Sequence, residues 1–567
     1  MNDSNCLLNH LRTFPFKEGK IKKPKKNFFM KNLNFKTIFK FSLFTFALLT
    51  ITSACQKDDL GKLTAENEIN SSKDGQIIVG AKLENPYSLK NMQRAYDSLK
   101  SNLGLKSAEI LEPTHYYVRF LPKDTSEYNA LKADTTIMLF SYPLDCEVSE
   151  GDSFHDSSLP SEQITWQYTK VPINYVFGNV SYEILEELYI PIETDEGELK
   201  SSSAISWYDL LDESMRITGN LDKEIKRQNE TGEAVLKGLL PSKWRPSATI
   251  KAWDDVLNKS IPLKGAVVRA RHLLHWEKEI TNDTGYVKFD SFRYGVNYSI
   301  VWERSPWDIR DGWTIQAYYN GPNNKKSHWD LNITGGKSLS YATIHRAAYR
   351  YFYGNNLGLR PPLSTLKIAY LDEKGDDING DYWSWTSVSP TILNTVLPNI
   401  RIYGYDNGGK RKTNEIYATA THEMAHAAHC DWMGNIQYWQ ATKYIRESWA
   451  VAVGWSLTTQ EYTDLNAKLS TSFTINLNRQ SWNANSSSKA YSPLFIDLVD
   501  DFNQQVKYGK SYPNDSVTGY TMNSLNKILL KSYGLYSLKN ELINNKPSGV
   551  TNAKIDSLFL KYTEILE

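Results

Sequence analysis

Four cysteines are few for a chain of 567 residues, and two of them, Cys6 and Cys55, fall in a leader-like segment. The remaining pair, Cys146 and Cys430, cannot form a disulfide framework, and it reads as two buried free thiols rather than a long-range bridge. Charge of one sign is also scarce. The net charge is +1, but ten basic residues (Arg12 and nine lysines) stand against Asp3 and Glu18 before position 55, so the rest carries −7. Nucleic-acid binding needs concentrated positive charge, so this class is excluded. The apolar run at residues 41–54 is too short to span a bilayer stably. What is plentiful is aromatic: 35 Tyr, 16 Trp and 41% hydrophobic residues exclude a wholly disordered chain. The length predicts about three or four domains.

Lys31, Lys36 and Lys40 precede the uncharged run 41–54, which ends in Thr52-Ser53-Ala54 before Cys55. A basic region, a short apolar region and small residues before a cysteine resemble a bacterial lipoprotein signal, with Met30 as the true start and Cys55 as the lipidated first residue. Two or more acyl chains there suffice for stable membrane attachment. Lys57-Asp58-Asp59, directly behind Cys55, resembles an export signal to the outer face of a Gram-negative outer membrane. The resemblance implies a cell-surface lipoprotein with a tether over 55–75.

Hydrophobic periodicity predicts helices over 87–103, 126–133 and 207–217 and strands over 116–121 and 136–142, a small α/β unit within residues 76–240. From Trp244 the pattern changes to closely spaced strands at 248–253, 266–270, 286–289 and 298–301, which predicts a β-sandwich over 241–310. Pro262 to Ala270 and Thr284 to Phe289 resemble the carboxypeptidase regulatory-like fold. His272 and His275 read as surface residues of that sandwich, and the acidic stretch 372–381 as a solvated turn. Residues 311–567 are predicted to be a mixed α+β domain, with a helix over 344–353, strands at 366–371 and 399–403, and long helices from Asn414, the expected helix cap, onward. The expected fold class is therefore multidomain α+β.

The chemistry lies in that last domain. His422-Glu423-Met424-Ala425-His426 places two imidazoles four residues apart, hence on one helical face, with Glu423 beside them. Catalytic zinc commonly takes three protein ligands, and a helix expected over 438–457 offers Glu447. Its same-face neighbours Ala450, Val451 and Gly454 are small or apolar, and a carboxylate on such a face needs compensation, which a cation supplies. Pairing with Lys443 and a third imidazole from His429 are the rival readings.

His422-Glu423-x-x-His426 followed by Glu447 resembles the gluzincins, zinc metallopeptidases with a glutamate ligand on the helix after the HExxH helix. The resemblance implies Zn2+ held by His422, His426 and Glu447, Glu423 as general base, and hydrolysis of protein or glycoprotein substrates. No histidine follows His429 to stabilise the oxyanion, and Tyr491 is the candidate for that role. The alternative expectation is a surface glycan- or protein-binding lipoprotein with a structural or degenerate metal site.

Overall fold

A computed structural model describes residues 77–105, 110–134, 136–148, 154–160, 163–190, 205–230, 242–312, 315–375, 379–383, 398–475 and 480–567. The segment read as a leader, with Met30, the expected lipidation position Cys55 and the expected tether, lies outside these residues. All described residues belong to one compact unit, Ile69–Glu567. It is mixed α+β, with five sheets and twelve helices among the described residues.

The N-terminal region contains β1 (Val79–Lys82), α1 (Leu89–Leu103), β2 (His115–Leu121), α2 (Thr125–Ala133), β3 (Cys146–Val148), β4 (Gln167–Pro172), β5 (Ser181–Leu188), α3 (Trp207–Ile217) and α4 (Asn220–Glu230). A three-stranded antiparallel sheet, β4-β2-β5, carries it. The strand expected at 136–142 is not formed; Phe140 alone bridges to Tyr168. The alternation is real, but Ile137 and Leu139 face one core and Met138 and Phe140 another, so the segment runs between two cores instead of along a sheet. Of the two thiols, Cys430 is buried and Cys146 half-buried, and neither forms a disulfide.

Two four-stranded sheets follow. One is β10 (Tyr286–Lys288)-β6 (Ser247–Asp254)-β16 (Trp329–Ile333), with β7 (Lys259–Pro262) also on β6; the other is β15 (Tyr318–Asn320)-β11 (Asn297–Val301)-β8 (Val267–His272)-β9 (His275–Ile280). Strict alternation in β6, whose even-numbered residues from Ala248 to Asp254 are buried, fixes which face enters the core. His272 is not a surface residue: its Nδ1 lies 3.1 Å from the Tyr87 hydroxyl and its ring stacks on Tyr294. The end of the β8–β9 hairpin is covered by the N-terminal region, a contact between distant segments that no local pattern records.

The third large sheet runs β12 (Glu303–Arg304)-β13 (Trp307–Asp311)-β17 (Leu366–Lys374)-β19 (Ile400–Asp406)-β18 (Gly380–Tyr382), with β14 (Ile315–Gln316) on β13 and β20 (Gly409–Lys410) on β19. β13, β17 and β19 are parallel and β18 is antiparallel. Central parallel strands are covered on both faces, which is why Leu366 to Leu371 is nearly continuous apolar sequence. Residue 310, the expected boundary, falls inside β13, and β16 returns from beyond it to pair in parallel with β6.

One buried cluster runs through strands of these three larger sheets and the helices α5 (Gly336–Tyr353), α6 (Thr413–Met433) and α8 (Lys443–Leu469), which follows the short α7 (Asn435–Gln440). The C-terminal helices α9 (Gln504–Tyr508), α10 (Met522–Leu529), α11 (Leu535–Asn544) and α12 (Asn552–Leu566) complete the fold. A buried ion-pair network joins its layers: Arg346 on α5 reaches Asp254 on β6 and Glu461 on α8, each at 3.1 Å, and Arg350 also holds Glu461 at 2.7 Å. No described helix is long and apolar enough to cross a membrane.

Candidate metal centre

α6 carries the two histidines. Its start is not capped by Asn414, which lies inside the first turn. Glu415 accepts from the Lys412 backbone N–H at 2.8 Å, and Asp255, from the loop after β6, accepts from the Thr413 N–H at 3.0 Å. These two carboxylates satisfy amides that the helix leaves without partners, and they suit the positive end of its dipole. The helix is buried along most of its length between the β19–β18 side of the sheet, α5 and α8.

The long helix expected over 438–457 is two helices. Ala441 adopts an extended conformation and Thr442 donates its N–H to the Tyr533 carbonyl at 2.8 Å, so α7 ends and α8 starts afresh. α8 packs against α6 closely enough that a Cβ on Gly454 would lie 3.1 Å from the Ala418 carbonyl oxygen and 3.4 Å from the His422 Cβ. Glu447, two turns before Gly454 on the same stripe, faces the histidines.

The three side chains converge. His422 Nε2 and His426 Nε2 are 3.2 Å apart, and Glu447 Oε2 lies 3.5 Å from the first and 3.2 Å from the second. Ligands about 2.0–2.1 Å from a zinc ion at tetrahedral angles stand about 3.3–3.4 Å from one another, so spacing and donor set both fit zinc. No other residue type is needed to complete a three-ligand site with one open position. His429 does not join them: it is fully buried, neither ring nitrogen has a hydrogen-bond partner, and its ring meets Tyr438 edge-on at 5.1 Å. Burial, reinforced by His426 and Arg446, pushes its pKa down to about 3, so it stays neutral. Nor does Lys443 form an ion pair with Glu447 among the described contacts.

The two carboxylates of the site are driven in opposite directions. Burial would raise Glu447, but hydrogen bonds with His422 and His426 outweigh it and hold the carboxyl well below its usual range. Glu423 is held well above it, by burial first and then by the charges of Glu447 and Asp381. Asp381 belongs to β18, which overlies α6, and pairs with Arg401, while Asp372 to Lys374 end β17, so both described ends of the acidic stretch 372–381 are strand and not the solvated turn expected. β18 comes so close there that a Cβ on Gly380 would fall 2.7 Å from Thr419 and 3.1 Å from the Glu423 side chain.

Tyr491 packs with its ring parallel to that of His422, centroids 6.1 Å apart. Its neighbour Ser492 shares a 2.7 Å hydrogen bond with Ser448, next to Glu447, which fixes this segment to α8. Two further contributors carry no sequence signal. The Tyr438 hydroxyl lies 3.1 Å from His426 Nδ1, the nitrogen facing away from the site; with Nε2 as the ligand, Nδ1 carries the proton and donates to Tyr438. Arg411 is buried beneath Glu423 and donates to Thr419 and to the Asn379 and Tyr403 carbonyls.

No protein-family model and no curated protein matches the chain. Among solved structures, a 9R-lipoxygenase from Cyanothece PCC8801 is similar at a TM-score of 0.11 and 10% identity, over 44% of this chain and 57% of that one. A likeness at that level carries no argument about fold or function.

Proposed function

We propose that this chain is a zinc-dependent endopeptidase that hydrolyses peptide bonds of extracellular proteins or glycoproteins, attached through a lipid on Cys55 to the outer membrane of a Gram-negative bacterium and exposed on its surface. The observation that carries the reading is the His422–His426–Glu447 constellation at the ligand spacing of tetrahedral zinc, with a buried carboxyl, Glu423, adjacent in sequence to one ligand. Zinc held there by His422, His426 and Glu447 would supply a Lewis acid for the scissile carbonyl and would lower the pKa of a water to about 7. Glu423, buried beside the ligand histidine, would take up that water's proton and return it to the leaving amine. Tyr491, parallel to a ligand ring, is the residue assigned to stabilise the carbonyl oxygen's developing charge. β18, the outer strand of its sheet among the described residues, supports a substrate main chain added alongside it, next to Glu423.

The test is Glu423→Gln. The amide keeps the shape of the side chain but cannot accept the proton, so the variant is expected to hold about one zinc per chain and to lose cleavage of an unfolded protein substrate by at least a thousandfold. Retained cleavage would refute the mechanism. Equal inactivity of wild type and variant on broad peptide libraries would favour the binding-lipoprotein reading, in which Glu423 has no task.

A further inference from the structure

Beyond the zinc site, the carboxylates of Asp497, Asp500 and Asp515 present oxygens within 4.8 Å of one another. Asp497 is fully buried and Asp515 is 3% exposed. Their hydrogen-bond partners are all neutral donors. Asp497 accepts from the Gln504 amide at 2.9 and 3.0 Å and from the Tyr562 hydroxyl at 2.6 Å; Asp500 accepts from the Phe502 N–H and the Gln480 amide; Asp515 Oδ1 accepts from the Val517 N–H at 3.1 Å. Among the described ion pairs, no Lys, Arg or His reaches any of the three. Asp515 Oδ2 is buried with no hydrogen-bond partner at all. A buried carboxylate oxygen without a donor is costly, and it sits here beside two more carboxylates that lack a counter-charge.

We propose that Asp497, Asp500 and Asp515 form a calcium site that fastens the C-terminal helices to the segment carrying Tyr491. The donors are exclusively hard carboxylate oxygens, with no imidazole or thiolate, which selects an alkaline-earth ion over zinc or copper. Calcium ligands at about 2.3–2.6 Å stand up to about 5 Å apart across the ion, a span that contains the observed grouping, and water and backbone carbonyls commonly complete its shell. Burial first, then the charge of Asp497, pushes Asp515 to about 9, and burial pushes Asp500 to about 6, so without a cation the cluster retains protons that an ion would displace. The site joins elements distant in sequence. Asp497 lies five residues after Ser492, which is bonded to α8, while Tyr562 ties the same carboxylate to α12. The proposal goes beyond the peptidase reading and stands if that reading fails.

The experiment uses the zinc-loaded chain from residue 56 onward, freed of weakly bound ions and titrated with Tb3+. Trp482 stacks on Tyr562 at 4.9 Å, so an ion on Asp497 sits near two aromatic sensitisers. Saturable terbium emission is expected, displaced by Ca2+, and weakened at least tenfold in affinity in Asp515→Asn with zinc content unchanged. Millimolar Ca2+ is expected to raise Tm in the wild type and not in Asp515→Asn. Should that variant fail to fold, Asp500→Asn, at a half-buried position, replaces it with the same expectations. Absence of saturable emission, emission indifferent to these variants or to Ca2+, or preference for Mg2+ over Ca2+ would overturn the assignment.

Discussion

Gly454→Val tests the metal centre without touching a ligand. A Cβ at this position already meets the Ala418 carbonyl oxygen at 3.1 Å and the His422 Cβ at 3.4 Å, and valine adds two methyl groups about 1.5 Å further out. The neighbours are a helix backbone and the root of a ligand side chain, neither of which can swing away, so α8 must part from α6 by about 1 Å locally. Glu447 rides on α8 and both histidines on α6. A shift of that size takes oxygen–nitrogen separations of 3.2 and 3.5 Å well past the roughly 3.3 Å that zinc requires. If misplacement of about 1 Å costs on the order of a hundredfold, zinc affinity falls by about that factor, or about 2.7 kcal/mol, with an overpacking loss of about 1–3 kcal/mol in stability. Gly454→Ala needs only a few tenths of an ångström of relaxation and should lose less than tenfold. Competition with a chromophoric zinc chelator reads the affinity, and a urea melt confirms that the variant is folded. A folded valine variant that binds zinc within about threefold of the wild type would refute the claim that helix spacing sets ligand spacing.

Tyr438→Phe removes the partner of His426 Nδ1 while keeping the ring, and zinc affinity should drop by about tenfold or more in the same competition assay. Glu461→Ala leaves Arg346 and Arg350 with buried, under-compensated charge and should destabilise the fold by roughly 3 kcal/mol in a urea melt, because removing one partner of a buried pair strands the other. For pH, the raised pKa values of Asp500 and Asp515 mean that the calcium-free folded chain binds more protons than the unfolded one above about pH 4. Its stability should therefore fall as pH rises through about 6 and towards 9, and Ca2+ should flatten that slope; thermal melts at pH 5 and pH 8 with and without Ca2+ check the sign.

What was legible in the sequence was what has a period. The four-residue step from His422 to His426 needs only helical geometry, and Glu447 was legible because Ala450, Val451 and Gly454 left its face otherwise apolar. The strands at 248–253 and 366–371 announced themselves by alternation and by a continuous apolar run. What failed depended on partners far along the chain: the start of α6 is satisfied by Asp255, the break between α7 and α8 is set by the Tyr533 carbonyl, and His272 is covered by Tyr87 and Tyr294. The three aspartates escaped for the same reason, since Asp515 is brought to Asp497 by folding of the C-terminal region and not by any spacing.

Burial is what turns the five-residue motif into an argument. On a solvated helix, His-Glu-x-x-His needs no explanation, because water satisfies every polar atom. Here Glu423 is 5% exposed and His426 6% exposed, on a helix enclosed by sheet and helices. Each polar group in such a place must be repaid by a specific contact or by an ion. His426 directs one nitrogen to Tyr438 and turns the other towards His422 and Glu447, so three lone-pair-bearing atoms face one point. His429, one turn further on, shows the contrast: equally buried, it is not among the converging groups and is tolerated as a neutral ring against Tyr438. The fold thus separates two histidines that converge with Glu447 from a third that merely packs. A cation with open coordination is the simplest species that satisfies all three converging atoms while leaving Glu423 beside it to carry a proton.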